Sequence, residues 1–131
     1  LSPKMNDGAS IMALTYYGST RYMQSYNVMG VAKAALETSI KYLAVDMGDR
    51  GIRVNAISAG PMRTLAGAVI NKSRKIYNYT IENSPIKKPL SLEDIGKSSV
   101  YLMSDLSKGV TGEILYVDNG YNNVGMSIQD L

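Results

Sequence analysis

Tyr26-Asn-Val-Met-Gly-Val-Ala-Lys33-Ala-Ala-Leu-Glu-Thr-Ser-Ile-Lys-Tyr-Leu-Ala-Val-Asp-Met47, then Gly48-Asp-Arg-Gly51, then Ile52-Arg-Val-Asn-Ala-Ile-Ser-Ala59 decides how this chain is read. In the first part apolar residues recur at 28, 32, 35, 36, 40, 43, 44 and 47, the spacing of a helix with one buried face. Gly48 and Gly51 stop it. The last part is a short apolar run closed by Gly60-Pro61, which reads as a buried strand. Helix, glycine turn, strand is one step of an alternating α/β chain.

The flanks repeat that step. Ala9–Tyr16 is another apolar run after the turn-like Asn6-Asp7-Gly8. Ser91-Leu-Glu-Asp94 has the form of a capping box and opens a helix to about Ser104, with Leu92, Ile95, Ser99, Leu102 and Met103 inward. Gly109 and Gly112 bracket a turn before a third strand, Glu113–Val117. A helix over about Lys72–Glu82 lies in the less regular segment between. The order predicts a parallel sheet with right-handed crossovers, helices on both faces, and ligands beyond the carboxyl ends of the strands. Tyr16-Tyr17, Ser58–Pro61 and the Tyr26–Lys33 helix edge meet there. Three strands are few for a doubly wound sheet, so the domain is expected to be incomplete at its amino end.

Composition narrows the chemistry. The chain has 131 residues, enough for one modest domain, and 45% hydrophobic content suits a packed core. No apolar run reaches the length of a membrane span, and Leu1-Ser-Pro-Lys is no signal peptide. Without cysteine there is no disulfide or thiolate metal site, and a reducing, cytoplasmic setting is expected. Without histidine, proton movement falls to Tyr, Lys, Asp or Glu, and no metal site is expected. A dispersed net charge of +3 does not suggest nucleic-acid binding. Eight methionines read as core filler.

Tyr26 and Lys33 stand seven residues apart, nearly two helical turns, and so share one edge. The apolar stripe centres near Leu36 and Leu43, which puts the pair about 90° away, at the border of core and solvent. A phenol, with a reference pKa of about 10, gives up a proton reluctantly at neutral pH. A nearby ammonium favours the phenolate and eases the transfer. The pair therefore reads as a proton-donating or oxyanion-stabilising unit.

These residues resemble a known family. Tyr16-Tyr17-Gly18, Tyr26 to Glu37 with its Tyr-x6-Lys spacing, Arg53-Val-Asn-Ala-Ile-Ser-Ala-Gly-Pro61-Met-Arg-Thr64, and Ser107–Asp118 are similar to the bacterial enoyl-acyl-carrier-protein reductases of the short-chain dehydrogenase/reductase superfamily. The wider superfamily pattern is Tyr-x3-Lys. The resemblance covers the carboxyl-terminal half of that family. It implies the carboxyl-terminal half of a Rossmann-like, doubly wound parallel sheet, with the Gly-rich pyrophosphate loop of the other half absent from this chain.

The resemblance further implies roles. Tyr26 would stabilise negative charge on a thioester carbonyl while hydride from NADH reaches the β-carbon of a trans-2-enoyl chain, the last step of fatty-acid elongation. Lys33 would hold the nicotinamide ribose, and Tyr16 would position substrate or supply protons. Gly60, Pro61, Met62 and Thr64 would contact cofactor. Leu65, Ala66, Gly67, Ala68, Val69, Ile70 and Ile76, within a 64–82 substrate-binding loop and helix, would contact the acyl chain. Arg74, Lys75, Lys87 and Lys88 would steer acyl carrier protein, and a homotetramer is implied. NADPH is not excluded, because that choice lies in the other half. Another short-chain reductase acting on a ketone or alcohol, and a non-catalytic half needing a complementary chain, are the alternatives. The isolated chain is expected to be inactive.

Overall fold

The computed structural model describes residues 4–62 and 73–125. Its three strands are β1, Ser10–Thr15; β2, Arg53–Ala59; and β3, Ile114–Val117. They form one parallel sheet in the order β1-β2-β3. Ser10 through Thr15 pair with Arg53 through Ser58, and Ala56 through Ala59 with Ile114 through Val117. The expected parallel sheet is present, with strand limits within about two residues of the sequence reading. The main helices are α1, Val28–Asp46; α2, Ser73–Asn83; and α3, Leu92–Met103.

Central position explains the composition of β2. A strand covered on both faces reads as a continuous apolar run rather than an alternating one. Val54 through Ser58 are all buried. Val54 and Ala56 face α1 and pack with Ile40, Ala44 and Ile52. Ile57 faces the other way and packs with Ile95 and Leu102 of α3. Helices therefore cover both faces, as the element order requires. Asn55 is fully buried and its side-chain amide is satisfied: Nδ2 donates to Val110 O at 2.9 Å and Oδ1 accepts from Glu113 N at 3.0 Å.

The amino ends of the strands are tied by side chains. Arg53 donates to Leu102 O at 2.9 Å, Ser107 Oγ at 2.8 Å and Ser104 O at 3.0 Å, capping the last carbonyls of α3. Ser10 Oγ adds a bond to Leu102 O at 2.9 Å. The capping box forms at the start of α3, where Ser91 Oγ accepts from Asp94 N at 3.1 Å and Asp94 Oδ2 accepts from Ser91 N at 3.0 Å. The Ser91 hydroxyl and amide hold the Asp94 carboxyl below its ordinary range.

Three details differ from the sequence reading. In α1 the inward line runs through the buried Glu37, Ile40 and Ala44, with half-buried Lys33 and Met47 at its ends, while Leu43 is exposed. At 100° per residue the helix is rotated by about 70° from a stripe centred on Leu36 and Leu43. Lys33 therefore sits on the inward face rather than at its border. In α3, Ile95 and Leu102 are buried as expected, but Leu92 and Met103 lie exposed at the ends. Tyr26 is not on the helix at all: it precedes the N-cap residue Asn27.

Candidate active site

The site grows from the carboxyl end of β1. Thr15 closes the strand, Tyr16 follows in extended conformation, and Tyr17–Ser19 forms one short helical turn. The chain then travels to Tyr26 through a tight turn in which Tyr26 N donates to Met23 O at 3.1 Å. Ser25 and Asn27, on either side of Tyr26, both have positive φ, 66° and 44°. Such backbone in a residue with a side chain costs about 1–3 kcal/mol and persists only where the surroundings impose it. Here the surroundings are aromatic and close. The Tyr16 and Tyr26 rings meet edge to face with centroids 4.9 Å apart.

Gly18 makes this packing possible. A Cβ there would stand 2.5 Å from Tyr26 Cδ1 and 3.3 Å from Tyr16 Cδ1. Gly30, in the first turn of α1, lies against the same turn, and a Cβ there would be 2.7 Å from Gly18 O. The two glycines bring the helix start onto the strand end. Lys33, one turn further, donates from Nζ to Leu14 O at 2.8 Å. The structure thus gathers Tyr16, Tyr26 and Lys33 at the end of β1, though by a strained turn rather than by a shared helix edge.

Burial sets the protonation state of the phenols. It raises the pKa of Tyr26, and with the neighbouring Tyr121 and Tyr26 phenols it raises that of Tyr16 strongly. Desolvation wins over the phenolate-favouring effect expected of the lysine, so both groups stay neutral hydrogen-bond donors at pH 7.

Gly60 and Pro61 lie at the end of β2, and Gly60 N donates to Val117 O at 2.9 Å. A Cβ at Gly60 would lie 3.0 Å from Asp118 Cα and 3.3 Å from Leu90 Cδ2. The glycine is thus already required by the close approach of the chain after β3. The Met62 side chain packs into the Ile57–Ile95–Leu102 cluster, leaving its backbone at the strand end. Around Gly60-Pro61, α2 contributes Tyr77, Thr80 and Ile81, and the residue after it, Ser84, joins them around a small space. Ile76 is half-buried one turn earlier, where its carbonyl accepts from Thr80 Oγ1 at 2.9 Å. Thr64, Leu65, Ala66, Gly67, Ala68, Val69 and Ile70 lie outside the described residues.

Two groups escaped the sequence reading. Tyr121, just past β3, meets the Tyr17 ring edge to face at 5.7 Å, and its pKa is raised by burial and by the Tyr79 and Tyr17 phenols. Applying the carboxyl-end rule to the third strand, as to the first two, would have found it. Glu37 is 8% exposed and accepts from Thr15 Oγ1 at 2.6 Å. Four residues after a lysine, it reads in sequence as half of a surface ion pair. Among the described residues no group of acidic side chains could hold a metal ion, and no helix is long and apolar enough to cross a membrane.

Comparison with known proteins agrees on one family. A family model described as Enoyl-(Acyl carrier protein) reductase matches residues 1–122. An enoyl-[acyl-carrier-protein] reductase [NADH] of Rhizobium meliloti is 60% identical over 126 residues, covering 96% of this chain and 46% of the relative. FabI of Rickettsia typhi, also named as an NADH enzyme, is 56% identical over 94% of the chain and 47% of its own length. The crystal structure of FabI from Candidatus Liberibacter asiaticus superposes with a TM-score of 0.91 at 58% identity, covering 95% of this chain and 48% of that one. An Anaplasma phagocytophilum reductase solved in complex with NAD gives 0.90 at 52% identity, covering 96% and 48%. The chain spans about half the length of the relatives it matches.

Proposed function

Because the chain belongs to the enoyl-(acyl carrier protein) reductase family, we propose that it contributes the catalytic groups of an NADH-dependent reductase of trans-2-enoyl thioesters on acyl carrier protein. The observation behind this reading is the packed Tyr16–Tyr26 pair beside Lys33 at the carboxyl end of β1. Neutral buried phenols are suited to donate hydrogen bonds to a carbonyl oxygen as negative charge develops on it. The Rhizobium meliloti relative is named as an NADH enzyme and the Anaplasma phagocytophilum relative was solved with NAD, which supports NADH as cofactor.

The donor set fits a nicotinamide nucleotide. The Lys33 ammonium has three N–H donors and among the described residues spends one, on Leu14 O, which leaves two for vicinal ribose hydroxyls. The Met62 backbone beyond β2 is read as the carboxamide partner, and Gly60, Pro61 and Thr64 as further cofactor contacts. When bound, NADH supplies the hydride. The chain's own part is to orient and to stabilise. Lys33 fixes the ribose and adds positive potential near the developing oxyanion. Tyr26 donates to the thioester carbonyl, so that the β-carbon accepts the hydride while charge builds on oxygen. Tyr16, in ring contact with Tyr26, keeps that phenol aimed and shields the carbonyl from water. Ala66, Gly67, Ile70 and Ile76 are assigned to the acyl chain.

Partners follow from the same reading. Lys87 and Lys88 are exposed, and with Arg74 and Lys75 they form a basic approach for an acidic carrier protein. Val28, Val31, Tyr42 and Val45 leave an apolar face on α1, suited to burial between copies in a homotetramer. A cytoplasmic location is the matching setting for a cysteine-free chain.

The test is titration of NADH and crotonyl thioester against the 131-residue chain, alone and joined to an amino-terminal half from the family. The joined protein is expected to oxidise NADH with the thioester, and the chain alone to be inactive. Reduction of a ketone instead of the enoyl thioester would turn the reading toward the other short-chain reductases. No turnover in any form would leave a non-catalytic half.

A further inference from the structure

Two hydrogen bonds tie α1 to the last residues of β1. Lys33 Nζ donates to Leu14 O at 2.8 Å, and Thr15 Oγ1 donates to Glu37 Oε1 at 2.6 Å. Leu14 and Thr15 are consecutive, while Lys33 and Glu37 are one helical turn apart. The two bonds therefore form a clamp across one strand end and one helix face. Its inner half is dry: Thr15 is 4% exposed and Glu37 8%.

A carboxylate taken out of water is expensive and is retained only with partners. Helix α1 does not need it there. Ordinary apolar side chains are available on the same helix and point outward, Val31 and Val45 among them. Burying Glu37 turns α1 away from its most apolar face, and that rotation is what brings Lys33 inward onto β1. Thr15 also directly precedes Tyr16. One 2.6 Å bond thus fixes the strand end that presents Tyr16 against the helix that presents Lys33. Without it, the four-carbon lysine stem would be located by the single bond to Leu14 O and could swing over several rotamers.

We propose that Thr15 and Glu37 are positioning residues, a buried hydroxyl–carboxylate clamp that sets where the Lys33 ammonium stands relative to Tyr16 and Tyr26. The consequence for catalysis rests on the enoyl-reductase reading above; the placement of Lys33 does not.

The experiment has two arms. Lys33 reactivity is read in the 131-residue chain by reductive methylation and peptide mass spectrometry, with the exposed Lys41 and Lys97 as references. Thr15→Val is expected to raise the methylation of Lys33 several-fold relative to those references, and Thr15→Ser to leave it unchanged. The double variant Thr15→Val/Glu37→Leu removes both polar partners, keeps the core filled and should fold; it is expected to raise Lys33 reactivity likewise. Turnover is read in the chain joined to an amino-terminal half. There Thr15→Val is expected to lower kcat about tenfold and weaken NADH binding at unchanged thioester KM, with Thr15→Ser restoring both. Unchanged Lys33 reactivity in both Thr15→Val and the double variant overturns the proposal. Raised reactivity without enoyl reduction by any form supports the clamp and overturns the reading of activity.

Discussion

The two ends of the sheet are built on opposite principles. At the amino ends of the strands side chains are matched to backbone: Arg53 reaches three acceptors around the end of α3, and Asn55 satisfies both sides of its amide against the loop entering β3. At the carboxyl ends the chain accepts positive φ at Ser25 and Asn27, crowds aromatic rings over a glycine, and holds an ammonium that among the described residues spends one donor, on Leu14 O. One end is tied together by its own side chains; the other is the end to which the proposed function assigns the chemistry. The difference is that buried polar groups hold a fold when fully satisfied, and serve a reaction when something is left for a ligand.

The contrast breaks most visibly at Tyr26. In the joined enzyme, Tyr26→Phe is expected to lower turnover by roughly 10²–10³-fold while leaving the melting temperature nearly unchanged, because only a hydroxyl is lost from a packed ring. Steady-state kinetics beside a thermal melt measures both; equal turnover in wild type and variant would remove Tyr26 from the chemistry. The mirror experiment is Arg53→Ala. It takes a charged donor from Leu102 O, Ser104 O and Ser107 Oγ and leaves Ser104 O with only the 3.3 Å bonds from Ser107 N and Oγ, so a loss of about 2–3 kcal/mol of stability is expected with kcat unaffected in the folded fraction. Urea unfolding reads it.

Gly18→Ala sharpens the comparison. Its new methyl would meet the Tyr26 ring at 2.5 Å, so the ring must move. Turnover is expected to fall about tenfold, through a displaced phenol. A structure with both tyrosine rings unmoved would contradict the crowding argument. The smallest effect is a pH effect. Tyr16 and Tyr26 have folded pKa values raised above 10.0. Their contribution to stability is complete below that pH and is lost as the pH rises through the folded values. The melting temperature should therefore decline above about pH 10, and less steeply in Tyr16→Phe.

Most of the frame was legible in the sequence, and of the candidate site the residues at the strand ends were, though not the way they are brought together. The parallel strands were readable because each is a short, mostly apolar run bounded by glycine turns, and α3 because its capping box is local. The face of α1 was not readable. Leu36 and Leu43 outweigh Glu37 in any periodicity count, and the partner that accounts for a buried Glu37, the hydroxyl of Thr15, lies 22 positions away. Tyr26 was placed beside Lys33 for a reason that does not hold. The spacing suggested a shared helix edge, while the structure uses a turn with positive φ at Ser25 and Asn27 that no periodicity reveals. Tyr121 went unseen because its contact to Tyr17 depends on which strand ends are neighbours in space.

The most direct test of the account is a crystal structure of the chain joined to an amino-terminal half, with NAD and an enoyl thioester analogue bound. The account predicts the thioester carbonyl oxygen within hydrogen-bond reach of the Tyr26 hydroxyl, and ribose hydroxyls on the Lys33 ammonium, at the carboxyl end of β1. A ligand seated elsewhere, with Tyr26 and Lys33 touching neither thioester nor ribose, would contradict it.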